Sequence, residues 1–143
     1  MIKFEDLEIK NKFSDYPTEI RTRMLYLRSL IIDTYKQNNE KKKNKNTFQE
    51  CLKWGEPSYL FKFGSTIRID WKFKNPKFLN IYFNCQSLLV ETFREVYGEE
   101  LTFEKNRAIL INVDKKFPEK ILAHCFELTM NYHKIKHLPL LGV

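Results

Sequence analysis

At 143 residues, with 43% hydrophobic and 15% aromatic side chains, the chain has the size and apolar content of one folded domain rather than of a disordered segment. Twenty-five Lys and Arg against eighteen Asp and Glu give a net charge of +7, which favours encounter with anions, although four of the lysines fall in one polar run, Glu40 to Asn46. No stretch approaches the roughly 18 uncharged apolar residues of a membrane span, and Met1 to Lys12 mixes charges of both signs, so a cytoplasmic protein with no membrane partner is expected.

Taken in chain order, Pro17 to Asn38 predicts a helix, because Ile20, Met24, Leu27, Ile31 and Tyr35 recur at three- and four-residue steps and form one apolar stripe. Ser14 or Asp15 suits the cap, and Pro17 the first turn, where its missing N–H is harmless. Asn38 to Asn46 reads as a solvated loop carrying Lys41, Lys42, Lys43 and Lys45. Thr47 to Lys53 predicts a short helical turn, stopped by Gly55 and Pro57. The period then falls to two. Tyr59, Phe61 and Phe63 lead through Gly64-Ser65 into Ile67, Ile69, Trp71 and Phe73, a hairpin with one apolar face. Phe78 to Cys85 predicts a third strand, with Leu79, Ile81 and Phe83 facing opposite to Asn80, Tyr82 and Asn84.

Helical spacing returns over Gln86 to Tyr97, with Gly98 placed for a left-handed C-terminal residue. Two further strands, Leu101 to Glu104 and Arg107 to Val113, turn through Lys105-Asn106, where Asn tolerates positive φ. Pro118 opens a last helix that runs until Pro139. Sequential hairpins with a polar second face predict an α+β fold. It would be a single domain over residues 1–143 in which an antiparallel sheet of about five strands meets N- and C-terminal helices.

The polar positions Lys62, Arg68, Asp70, Lys72, Asn80, Tyr82 and Asn84 share the sheet's second face in this reading. A hydrated face and a ligand surface both fit them; in the second, Arg68 and Lys72 meet an anion and Tyr82 supplies a stacking plane. Trp54-Gly55-Glu56-Pro57-Ser58-Tyr59 is the most distinctive local stretch, a rigid aromatic turn or one wall of a pocket. Glu91, Glu95, Glu99 and Glu100 form an acidic cluster whose oxygens suit a hard cation such as iron, or simply a solvated helix end. His133 and His137 are four apart, as in a zinc pair, but lack the glutamate of a metalloprotease helix. There is no GxSxG, no phosphate loop and no Cys beside an evident base, so no catalytic residue is assigned and no enzyme is expected. Cys51, Cys85 and Cys125 form no CxxC pair and are expected to be reduced and mostly buried.

Four stretches read together: Tyr16-Pro17 followed by Arg23 to Ile31, Leu52-Lys53-Trp54-Gly55-Glu56-Pro57-Ser58-Tyr59, Asn106-Arg107-Ala108-Ile109, and Tyr132 to Gly142. In this order they resemble the YdhG-like family, also called domain of unknown function 1801, with the Lys-Trp-Gly-x-Pro-x-Tyr stretch the most specific part. The resemblance implies a compact α+β fold likened to frataxin and, for some members, a proposed iron-chaperone role. Frataxin-type delivery uses a carboxylate-rich first helix; the long helix here carries only Glu19 and Asp33 against Arg21, Arg23, Arg28 and Lys36.

The leading expectation is a non-enzymatic binding module whose small ligand or protein partner sits against Trp54, Tyr59, Arg68, Asp70, Tyr82 and Arg107, with no resident cofactor. One alternative is iron handling through Glu91, Glu95, Glu99 and Glu100. The other is weak, sequence-independent nucleic-acid binding through Lys41, Lys42, Lys43 and Lys45, falling steeply with salt. A homo-oligomer is compatible with the sequence, which does not set subunit number.

Overall fold

In the computed structural model, which describes residues 1–143, the chain opens with a helix α1 (Leu7–Asp15) that the sequence pattern did not announce. Asp6 caps it, its side chain accepting from the Glu8 N–H at 2.8 Å, but only Ile9 and Phe13 are buried. One i, i+4 pair is too short a period to stand out from its charged neighbours. The long helix α2 (Thr18–Asn39) buries the expected stripe of Ile20, Met24, Leu27 and Ile31, with Arg28 buried beside it. Neither Ser14 nor Asp15 caps it. Pro17 occupies the N-cap position and its carbonyl accepts from Arg21 N–H at 2.8 Å.

Thr47 to Lys53 is not a helical turn but a strand, β1 (Phe48–Lys53), joined by Trp54-Gly55 to β2 (Glu56–Phe61). The two turn residues have φ of 58° and 73°, the doubly positive geometry that matches the twist of a two-residue hairpin. The alternation of β1 was masked because Glu50 occupies an inward position. Its charge is satisfied by Arg28 and by the Tyr59 hydroxyl, so a carboxylate stands where the pattern called for an apolar residue.

The remaining strands are β3 (Ile67–Trp71), β4 (Phe78–Tyr82), β5 (Thr102–Glu104) and β6 (Ala108–Asn112), with α3 (Leu89–Tyr97) between β4 and β5. All six form one antiparallel sheet in the order β1-β2-β3-β4-β6-β5, one strand more than expected. The chain ends in α4 (Glu119–Met130), a short α5 (Tyr132–Ile135) and a 3-10 turn (Pro139–Gly142), so the expected last helix breaks at Asn131. Two turns differ from expectation. Gly98 is right-handed, with φ of −59°, and Lys105 rather than Asn106 takes the positive φ.

Tyr59, Ile67, Ile69, Leu79, Ile81 and Ile109 alternate onto one face of the sheet and pack with the helices in a single hydrophobic core. Gly64, between β2 and β3, is where the sheet meets the end of α4. A Cβ there would lie 2.2 Å from the Thr129 carbonyl oxygen, and the neighbouring Ser65 N–H donates to that oxygen at 3.0 Å. Of the three free cysteines only Cys125 is buried, which pushes its thiol up to about 12; Cys85 is exposed and Cys51 half-buried. No helix is long and apolar enough to cross a membrane.

Candidate functional site

The antiparallel register places residues of all six strands in one row. Cys51 lies opposite Ser58, Ser58 opposite Arg68, Arg68 opposite Tyr82, Tyr82 opposite Ala108, and Ala108 opposite Glu104. Cross-strand partners share a face, so this row lies on the side opposite the apolar core. Ser58 and Ala108 are small, and Arg68 and Tyr82 stand between them as the largest groups.

A second group of charges supports the row. Glu56 accepts from Arg68 Nε at 3.1 Å and from Lys72 Nζ at 3.0 Å. Asp70 accepts from Lys72 Nζ at 2.9 Å and from the Tyr16 hydroxyl at 2.5 Å, with Lys12 Nζ at 3.5 Å. Glu56 and Asp70 are both buried, and these partners occupy both oxygens of each carboxylate. Burial pulls the Lys72 ammonium down, but its hydrogen bonds to Asp70 and Glu56 and their charges outweigh this, so the group is held above the ordinary lysine range.

Beyond this network four donor atoms on three side chains have no protein partner. Arg68 donates only through Nε, leaving both terminal nitrogens unpaired. Arg107 binds Glu104 Oε1 through Nε at 3.1 Å and Nη2 at 2.9 Å, leaving Nη1. The Tyr82 hydroxyl makes no hydrogen bond within the protein, and burial is the main cause of its phenol being raised. The guanidinium carbons of Arg68 and Arg107 lie 5.9 and 5.8 Å from the Tyr82 ring centre, bracketing it at cation–π range.

Arg68, Asp70 and Tyr82 share this face and Arg107 reaches the Tyr82 ring, but Tyr59 and Trp54 do not join them. Tyr59 is 0% exposed on the core face, because it alternates with Ser58, and its hydroxyl donates to Glu50 Oε2 at 2.7 Å. Trp54 stands out at the β1–β2 turn. Lys62 lies beyond β2 with its ammonium near the Phe63 ring, and Asn84 lies beyond β4, where its side chain accepts from Gln86 N–H. Asn80 stays on the polar face, its amide donating to the Asp70 carbonyl at 3.4 Å. Glu56 and Tyr16 were missed by sequence reasoning. Glu56 sat inside a stretch read as a turn, and Tyr16 lies 54 residues before its partner Asp70.

The acidic cluster does not converge. Glu91 and Glu95 line one depression with Leu88, Thr92 and Leu140, whereas Glu100 lines another with Leu101 and Pro118. No group of three or more His, Cys, Asp or Glu side chains is placed to hold a metal, His133 and His137 included. The lysine run is also more structured than a solvated loop. Lys42 Nζ binds Asn38 Oδ1 at 3.0 Å and Asn131 Oδ1 at 2.9 Å, and Lys45 Nζ donates to the carbonyls of Asn39 and Glu40 at the end of α2.

Tyr16 and Tyr59 give the fold a pH dependence whose sign follows from their surroundings. Burial first, then the charge and hydrogen bond of Asp70, raises the Tyr16 phenol; burial first, then Glu50, raises Tyr59, with Arg28 opposing. Above about pH 10 the unfolded chain loses these protons while the folded chain keeps them, so stability is full below that pH and falls as pH rises through it. Each group contributes a slope of about 1.4 kcal/mol per pH unit in that window. Urea titrations at stepped alkaline pH should show this fall, and Tyr16→Phe and Tyr59→Phe should each flatten it. Equal slopes in the wild type and both variants would mean that other groups drive alkaline unfolding.

The fold and site define a two-layer α+β domain whose polar sheet face presents Arg68, Tyr82 and Arg107. The chain matches no protein-family model, no curated protein and no solved structure.

Proposed function

We propose that the protein is a binding module that takes a small anion, a phosphate or carboxylate compound, on the polar face of its sheet. The observation that carries this reading is the set of donors without protein partners around Tyr82: the terminal nitrogens of Arg68, Nη1 of Arg107 and the phenol itself. A guanidinium suits the oxygens of a carboxylate or phosphate; Glu56 holds Arg68 by Nε and leaves its terminal fork, while Glu104 holds Arg107 by Nε and Nη2 and leaves Nη1. Lys72 is bound by two carboxylates and steadies Glu56 instead of reaching a ligand. Membership of the YdhG-like family is part of the same proposal. It rests on the four quoted stretches, Tyr16-Pro17 with Arg23 to Ile31, Leu52 to Tyr59, Asn106 to Ile109 and Tyr132 to Gly142.

Calorimetry with pyrophosphate and with citrate at about 0.05 M salt is the test, because screening is modest there. Binding by the wild type, weakened about tenfold or more by Arg68→Ala and by Arg107→Ala, is expected from the loss of one charge-assisted contact. Neither anion binding at millimolar concentration, or both variants binding like the wild type, would remove this surface from consideration. Iron handling through Glu91, Glu95, Glu99 and Glu100 has less support, since those carboxylates do not come together. Two of the four lysines of the nucleic-acid alternative are taken up at the end of α2.

A further inference from the structure

Folding buries most large apolar side chains, yet two large aromatic ones stand in solvent at the same end of the sheet. Trp54 is 88% exposed and Phe73 is 78% exposed. Trp54 is the first residue of the two-residue turn closed by the Lys53–Glu56 pair, and Phe73 follows β3. The ion pair between Lys72 and Glu56 ties these two places together at 3.0 Å. The loop from β6 to α4 ends at this side too, since Val113 N–H donates to the Lys77 carbonyl at 2.9 Å.

Neither aromatic is explained by the fold. Trp54 has φ of 58°, a left-handed conformation that is unfavourable for a bulky side chain and that Asn or Gly adopts at lower cost in this turn. The indole buries almost nothing in exchange. Phe73 rests edge-on against Trp71 at 4.7 Å between ring centres and leaves the rest of its surface in water. The same end of the sheet carries exposed lysines: Lys53, Lys74 and Lys77 from the aromatic loops, and, further along the sheet, Lys115 and Lys116 from the β6–α4 loop. The unpaired acidic groups at this end are Asp15, which lines a depression with Phe73, Asp114 in the β6–α4 loop, and Glu100, which lines another with Lys115 and Lys116; Glu56 and Asp70 are already paired.

Aromatic rings at loop ends, with exposed lysines along the same end of the sheet, fit the boundary of an anionic lipid surface, where rings settle at headgroup level and lysines meet anionic headgroups. Single-stranded nucleic acid uses the same residue types differently, stacking bases on rings within a groove that follows the backbone. Here the rings sit at loop ends rather than in a groove. We infer that this end of the sheet, led by Trp54 and Phe73, docks the protein reversibly on an anionic membrane. The expectation of no membrane partner rested on the missing apolar span, and a peripheral contact needs none. This surface is separate from the anion site around Tyr82 and does not depend on it.

The test uses vesicles of phosphatidylcholine alone and of phosphatidylcholine with about three parts in ten phosphatidylserine, at about 0.1 M salt. The wild type should sediment with the second and far less with the first. Its emission should shift to the blue, reported by Trp54, since Trp71 is already buried with its N–H bonded to the Pro76 carbonyl. Trp54→Ala/Phe73→Ala should lower partitioning about tenfold or more and abolish the shift. Lys74→Glu/Lys77→Glu should lower it by about fivefold or more per charge, whereas Arg68→Ala should leave it unchanged. All these positions are exposed or half-exposed, and matching thermal melts would establish that each variant is folded. Failure of the wild type to sediment with phosphatidylserine vesicles, or equal sedimentation of the aromatic variant, would overturn the inference. Failure to sediment with tight oligouridine binding that requires Trp54 would overturn it in favour of single-stranded nucleic acid.

Discussion

Replacing Arg28 by methionine is expected to lower stability by about 3–5 kcal/mol, the usual consequence of leaving one charge of a buried pair behind. Arg28 is 2% exposed. Its Nε donates to Glu50 Oε2 at 2.6 Å and its Nη2 to Glu50 Oε1 at 2.9 Å, a two-pronged contact between α2 and β1. The remaining donors hold the N-terminal segment, reaching the Ile2 carbonyl at 2.6 Å and the Lys3 carbonyl at 3.1 Å, while the guanidinium lies 3.9 Å from the Phe4 ring centre. Methionine fills similar space but satisfies none of these oxygens, so Glu50 is left charged beside the Tyr59 hydroxyl. Adding Glu50→Gln removes that charge and keeps an acceptor for Tyr59, and should recover about 2 kcal/mol. Urea unfolding of the wild type, both singles and the double variant closes the cycle. A change within about 1 kcal/mol for Arg28→Met, or strict additivity in the double, would mean that the pair is not coupled as the geometry requires.

That interaction also explains why part of the fold was hard to read. The hairpin of β2 and β3, β4 and the long helix were legible because Tyr59, Phe61, Ile67, Ile69, Leu79 and Ile81 repeat every second residue and Ile20 to Ile31 repeat at helical steps. β1 was not legible because a tertiary ion pair replaced an apolar side chain at Glu50, and periodicity registers polarity without knowing its partner. α1 escaped because two core residues do not make a period. Much of the candidate site was visible as the polar half of the same alternation: Arg68, Asp70, Asn80 and Tyr82 fall on one face, and Arg107, just before β6, reaches the Tyr82 ring from the turn. Its supporting groups were hidden, since nothing local in Glu56 or Tyr16 announces a contact across the sheet. Tyr59 was given to the ligand surface although its alternation with Ser58 put it on the apolar face, and in a strand one step is the difference between core and solvent.

The lysine-rich run was the least legible segment, and it contains the second large effect. Read as a solvated loop, it ends in Asn46, which is 3% exposed and joins three elements. Its side-chain oxygen accepts from Phe63 N–H at 3.0 Å and Thr47 N–H at 3.1 Å, and its amide donates to the Met130 carbonyl at 2.8 Å. Its backbone exchanges hydrogen bonds with the Asn39 side chain at 3.0 and 2.9 Å, and its carbonyl also accepts from the Tyr35 hydroxyl. Asparagine is suited to this position because one planar group supplies both a donor and an acceptor. Asn46→Ala leaves the Phe63 N–H and the Met130 carbonyl without partners. At about 1–3 kcal/mol for each unsatisfied buried group, the loss should be about 4 kcal/mol, a large share of the 5–15 kcal/mol typical of a domain. Asn46→Asp keeps the acceptor but not the donor, and should fall between the wild type and alanine at neutral pH. The measurement is the urea midpoint at constant slope, with amide exchange at Phe63 as the local readout. Exchange at Phe63 should rise to the rate of global unfolding in the alanine variant. A midpoint unchanged from wild type would show that water replaces the side chain.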